Sequence, residues 1–142
     1  MSDSILTLEY TVSADDFQAA GEASSDVKNK LKQMGLPPQI VRKVAISMYE
    51  GEINMVIHAC GGTIQVDITM DEIIIRLKDV GPGIKDVEKA MQAGYSTASD
   101  QVRSLGFGAG MGLPNMKKYS DSMNIETELG VGTTVTLGVR IC

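Results

Sequence analysis

Five stretches of this chain alternate apolar and polar residues with a period of two, and each leaves one side apolar and the other mixed. Leu6, Leu8, Tyr10 and Val12 are interleaved with Thr7, Glu9 and Thr11. Ile64, Val66 and Ile68 form the second stretch and Ile73, Ile75 and Leu77 the third, with a turn at Met70-Asp71-Glu72 between them. The last two are Met123, Ile125, Thr127 and Leu129, then Thr133, Val135, Leu137, Val139 and Ile141, turning at Gly130-Val131-Gly132. Strands of an all-parallel sheet are buried on both faces and read apolar on both. Strands with one polar face belong to a sheet that is covered on one side. The expectation is a single domain over residues 1–142 with an α/β fold. It would be a two-layer sandwich whose mixed, mainly antiparallel sheet carries helices on one face.

The helical text fits between these strands. Ser13-Ala14-Asp15-Asp16 supplies an N-cap and early acids for a helix over about 14–34, closed by Gly35. Pro37-Pro38 opens a second helix, since proline is tolerated where the N–H would be unpaired anyway. Its apolar stripe is Val41, Val44, Ala45 and Met48, and it runs to about Ala59 before Gly61-Gly62. A helical stretch from Lys85 to about Ala93 gives way to small, polar text from Gly94 to about Leu105, a length typical of lids and binding loops. Leu113, Met116 and Tyr119 mark a last helix.

Three features do not follow from packing alone. Glu50 and Asn54 stand four apart on the second helix and share a face. A carboxylate and a carboxamide so placed suit a divalent cation and a proton acceptor, or form a merely solvated polar face. Glu52 falls on roughly the opposite side and reads as solvated. Gly51 costs about 1 kcal/mol against alanine in a helix, and either leaves room for a ligand or allows close packing. Asp79 continues the apolar face of the third strand, where an ionised carboxylate is costly unless hydrogen-bonded. Finally, Gly106-x-Gly108-Ala109-Gly110-x-Gly112 runs into a helix N-terminus, where backbone N–H groups and the helix dipole favour an anion. No Gly-Lys-Ser/Thr follows, which excludes a P-loop. A polar loop instead of a strand precedes the glycines, which excludes a Rossmann fingerprint. A purely structural glycine loop stays open on this segment alone.

Bulk properties remove other classes. A net charge of −5 argues against nucleic acid. No apolar run approaches the roughly 18 residues of a membrane span, and no signal peptide opens the chain. Cys60 and Cys142 lack CxxC spacing or neighbouring ligands and read as free thiols of a reducing cytoplasm. With no Trp and two Phe, the core must be aliphatic.

Taken together, the motifs resemble the GHKL nucleotide-binding family of histidine-kinase catalytic domains, anti-sigma kinases, Hsp90 and gyrase. Glu50-x-x-x-Asn54 is similar to its N box and Asp79-Val80-Gly81-Pro82-Gly83-Ile84 to its first glycine box. Gly106 to Gly112 is similar to its second, and Gly132-Thr133-Thr134-Val135 to its closing threonine motif. The resemblance runs from about Arg42 to Leu137, with glycine in place of the more usual alanine after Glu50. It implies ATP and Mg²⁺ as cofactors, with Glu50 as general base and Asn54 as metal ligand. Asp79 would accept from the adenine amino group, assisted by Thr133 directly or through water. Gly81, Gly83, Ile84, Gly106, Gly108, Ala109, Gly110, Met111, Gly112 and Leu113 would complete the nucleotide site, under a lid beginning at Gly94.

Asn54-Met-Val-Ile-His58 and the run Ala90 to Thr97 resemble the serine-phosphorylating anti-sigma kinases in particular. That branch implies a cytoplasmic serine/threonine protein kinase whose partner is a STAS-domain anti-sigma antagonist, with a sigma factor or upstream regulator as a further partner. A homodimer is left open. His58, the one histidine, reads as a helix-end structural or supporting residue, not a phosphoacceptor. Two alternatives stand beside this reading: an ATP-gated protein-binding module without kinase turnover, and a stand-alone histidine-kinase-like ATPase domain.

Overall fold

The alternating stretches pair edge to edge into one sheet. A computed structural model describes residues 5–14, 16, 18–84, 86–87, 91 and 112–141, the side chain of His58 excepted. The strands are β1 (Leu6–Ser13), β2 (Gly61–Ile68), β3 (Glu72–Asp79), β4 (Ser122–Glu128) and β5 (Gly132–Arg140), in the spatial order β1-β2-β3-β5-β4. Tyr10 lies opposite Ile64, Ile64 opposite Leu77, Leu77 opposite Val135, and Val135 opposite Ile125. One row of apolar side chains therefore crosses all five strands. The sheet is narrower in kind than expected: its pairings among the described residues are all antiparallel, with no parallel component.

Among the described residues, three helices cover the apolar face: α1 (Glu22–Gln33), α2 (Pro38–His58) and α3 (Gly112–Tyr119). Helix α2 packs on the sheet with α1 along one flank and α3 along the other. Val44 and Met48 of its predicted stripe are fully buried against Ile64, Ile73, Ile75 and Leu137 of the sheet's inner face. Each such aliphatic side chain contributes about 1.5–3 kcal/mol on burial. Gly35 follows α1 at φ +79°, a left-handed turn that glycine adopts without steric cost. The helix expected over Lys85 to Ala93, the loop from Gly94 and the glycines from Gly106 to Gly110 fall outside the described residues, apart from Asp86, Val87 and Met91.

Gly51 is a packing glycine. A Cβ placed on it would lie 2.5 Å from Leu77 Cδ2 and 3.2 Å from Met116 Sδ, so its bare backbone is what lets α2 settle between β3 and α3. Gly51→Ala is therefore expected to lower unfolding free energy by about 1–2 kcal/mol, because overpacking outweighs alanine's better helix propensity. Urea denaturation measures this directly. A stabilised variant would mean that the Leu77 and Met116 side chains have room to move aside for a methyl group.

Two readings of the sequence need correction at α1. The helix begins at Glu22, not near Ala14, and its N-cap Gly21 makes no side-chain capping bond of its own. Asp16 caps only an upstream turn, accepting from the Ala19 amide at 3.2 Å. The cap comes instead from Glu52, which is 3% exposed and not solvated. Glu52 Oε2 accepts from the amides of Gly21 (2.9 Å) and Ala23 (3.2 Å). Its Oε1 accepts from the Ser24 amide at 3.0 Å and from the Ser24 hydroxyl. The orphan N–H groups of a helix start need acceptors; here a neighbouring helix provides them.

Candidate functional site

Helix α3 runs antiparallel along α2, and the contact brings one half of the predicted site together. A Cβ on Gly112, the last residue of the second glycine box and the first of α3, would lie 2.7–2.8 Å from the Asn54 amide group. One turn further along α3, Asn115 Nδ2 donates to Glu50 Oε1 at 3.2 Å. Met116 then reaches Gly51, and the ring of Tyr119 lies 5.9 Å from the Arg42 guanidinium. Glu50 and Asn54 thus face the start of α3, and the glycine at 112 is what lets Asn54 lie against it. The Leu113 side chain is 8% exposed and belongs to the core.

Burial pushes the Glu50 carboxyl above the usual glutamate range, and the hydrogen bond from Asn115 opposes part of that. Among the described residues no charged side chain adds to this shift. A half-buried carboxylate with raised basicity is better suited to accept a proton than a solvated one.

The other half is built at the C-terminal end of β3. Asp79 Oδ1 accepts from the Thr133 amide at 2.8 Å. Burial raises the Asp79 carboxyl above the usual aspartate range, and this backbone bond opposes it. Thr133 thus meets Asp79 directly, through its N–H and not its hydroxyl. The hydroxyl is 2.9 Å from that of Thr127, whose Oγ1 accepts from the Ile84 amide at 2.8 Å. Gly132 allows this approach, since a Cβ there would come 2.3 Å from the Asp79 carbonyl oxygen. Gly81 donates to Val131 O at 3.1 Å and Gly130 to Pro82 O at 2.9 Å, so the β4–β5 turn clamps the first glycine box. Gly83 sits close under that turn, where a Cβ would be 2.7 Å from Glu128 O. The two halves adjoin at the end of α2, where Gly81 abuts Ala59.

Gly106, Gly108, Ala109, Gly110 and Met111 lie outside the described residues. Asn115 and Thr127 were not singled out from the sequence. Asn115 carries a recoverable signal, a polar residue one turn into a helix that follows the glycines. Thr127 was placed on the core face with no role. A cavity of about 400 Å³ lies on the far flank, lined by Tyr10, Asp26 and Glu52 among others, and includes none of the predicted site residues.

The open acceptor at Asp79 suits a ligand that presents an N–H, as the adenine amino group does. A half-buried Asp79 has one oxygen engaged by a backbone amide, and among the described residues no hydrogen bond reaches the other. Three metal-ligating His, Cys, Asp or Glu side chains converge nowhere among the described residues. Of the predicted site residues, Asn54 is the side chain that would hold a cation beside the nucleotide phosphates.

A model of the histidine kinase-, DNA gyrase B- and HSP90-like ATPases matches residues 53–141. The chain belongs to this family. The match takes in Asn54, Asp79, Gly112 and Thr133 and begins three residues after Glu50. Among curated relatives of this ATPase-family chain, the anti-sigma F factor of Caldanaerobacter subterraneus subsp. tengcongensis is 37% identical over 116 residues. That alignment covers 82% of this chain and 69% of the relative. The serine/threonine-protein kinase RsbT of Bacillus subtilis is 28% identical over 112 residues, covering 76% and 78%. Solved structures repeat the fold. The RsbU and RsbW domains of a Mycobacterium tuberculosis protein align with a TM-score of 0.63 at 14% identity, over 96% of this chain and 32% of that one. The SiaB–SiaC complex from Pseudomonas aeruginosa aligns at 0.62 and 11% identity, over 97% and 90%.

Proposed function

We propose that this chain is a cytoplasmic, ATP-dependent serine/threonine protein kinase of the anti-sigma or switch type. It would transfer the γ-phosphoryl group of Mg-ATP to a serine or threonine of a STAS-domain antagonist. The observation that carries the reading is the half-buried Glu50, held by Asn115 on a helix face shared with Asn54 and closed by Gly112. In this reading Glu50 takes the proton from the attacking hydroxyl. Asn54 is the side chain that would hold Mg²⁺, which when bound neutralises charge on the phosphates. Asp79 accepts from the adenine amino group while Thr133 fixes its other oxygen, with Gly81, Gly83 and Ile84 shaping the base pocket around it. The glycines from Gly106 to Gly112, with Ala109, Met111 and Leu113, offer main-chain amides to the phosphates. The relatives named as anti-sigma F factors support binding of a sigma factor or regulator, and a second reading keeps only that function: an ATP-gated binding module without turnover. Transfer of label from γ-labelled ATP to a serine or threonine of a STAS antagonist separates the two, because the binding module leaves the antagonist unlabelled.

The adenine assignment has its own test. Asp79→Asn turns an amide donor toward the adenine amino group or toward the Thr133 N–H, and either way one bond becomes a donor–donor clash. ATP affinity is expected to fall about tenfold or more, since a hydrogen bond to a charged group is worth roughly 1.5–3 kcal/mol. GTP, which presents a carbonyl at that position, should bind poorly to the wild type. Titration calorimetry with both nucleotides is the check. Equal affinities for ATP and GTP would remove Asp79 from the base pocket.

A further inference from the structure

We infer that Asn115 is a positioning residue for Glu50: its side-chain amide fixes the carboxylate in the orientation from which it takes the proton. This role rests on the reading of Glu50 as general base. Four observations carry it. Asn115 Nδ2 donates to Glu50 Oε1 at 3.2 Å across the α2–α3 contact. Both side chains are half-buried, so neither the donor nor the acceptor is freely exchanged for water. Apart from this bond, no hydrogen bond or ion pair reaches Glu50 from the described residues, so no other polar contact there orients its carboxylate. The backbone beneath is rigid on both sides, because Gly51 is wedged against Leu77 and Met116, and Leu113 and Met116 anchor α3 in the core.

The chemistry follows from which oxygen is used. An amide donor on Oε1 pins the carboxyl plane and leaves Oε2 as the oxygen free to receive a proton. Asn115 never touches the nucleophile; it narrows the orientations of the group that does. A carboxylate left to rotate spends less time within reach of the attacking oxygen, and the cost appears in the rate of the chemical step, not in ground-state binding. Asn115 also stands three residues after Gly112, which packs on Asn54. The first turn of α3 therefore sets the base and the amide proposed for the metal as one unit.

The experiment uses the full chain and γ-labelled Mg-ATP, following transfer to the antagonist or release to water in a single turnover. Asn115→Ala should lower the rate of the chemical step about 10- to 100-fold, the worth of a hydrogen bond to a charged group. Mg-ATP affinity by calorimetry should stay within about twofold of wild type, because the lost contact is made to the base. Asn115→Asp keeps the shape and folding contacts but replaces the donor by a second acid, and should be slower still. In a Glu50→Gln background, Asn115→Ala should cost nothing further, since the residue acts through Glu50. Independently of turnover, the Asn115 side-chain amide resonances should move in Glu50→Ala. Slow Glu50→Gln with wild-type rates in both Asn115 variants would overturn this inference while leaving the base intact. Full additivity of the two losses would also overturn it. Wild-type rates in Glu50→Gln itself would remove the base, and the positioning role with it.

Discussion

Glu52→Ala is expected to destabilise the fold by roughly 3–5 kcal/mol and to lower the melting temperature by about 10 °C. The substitution strips the acceptor from the amides of Gly21, Ala23 and Ser24 and from the Ser24 hydroxyl, at a place only 3% exposed to water. Each buried donor left unpaired costs about 1–3 kcal/mol, and the groups nearer the surface recover part of this from solvent. Against a typical total of about 5–15 kcal/mol, this is a large share. Glu52→Gln retains one acceptor oxygen and should lose about half as much. Hydrogen exchange in Glu52→Ala should rise first over the first turn of α1, which loses its cap while α2 keeps its packing. A melting temperature within about 2 °C of wild type would contradict the capping role.

This contact also explains where reading the sequence failed. Counting around α2 correctly separated Glu52 from Asn54, but the far side of that helix faces α1, not solvent. A helix flanked by two others has little solvated surface, so helical periodicity alone could not assign its polar residues. The same contact displaced the start of α1. Ser13 to Asp16 look like a cap because capping residues are usually local, whereas the acceptor here comes from 31 residues downstream. The strands were legible for the opposite reason. Period-two alternation depends only on neighbours in sequence, and Ile73, Ile75 and Leu77 are buried as that count required.

At the site, Asp79 was legible as an anomaly, a carboxylate on an apolar face, and the structure gives it a partner in the Thr133 amide. What could not be read was that Thr133 would use its backbone and pass its hydroxyl to Thr127. That depends on the β4–β5 register, which sets Thr127 opposite Thr133. The bond from Asn115 to Glu50 was hidden for a similar reason, because it exists only through the antiparallel seating of α3 on α2. Gly51 was readable as either ligand space or packing space. Leu77 and Met116 decide for packing.

The central claim is that Glu50 accepts the proton during phosphoryl transfer. Glu50→Gln preserves shape and the acceptor for Asn115 while removing that capacity. The decisive measurement is single-turnover transfer from γ-labelled Mg-ATP to a serine or threonine of a STAS-domain antagonist, with nucleotide affinity of both proteins measured alongside. The expected result is labelled antagonist from wild type and a rate about 10²–10⁴-fold lower from Glu50→Gln, the usual worth of a positioned general base, with Mg-ATP affinity nearly unchanged. Equal rates from the two proteins would contradict the account.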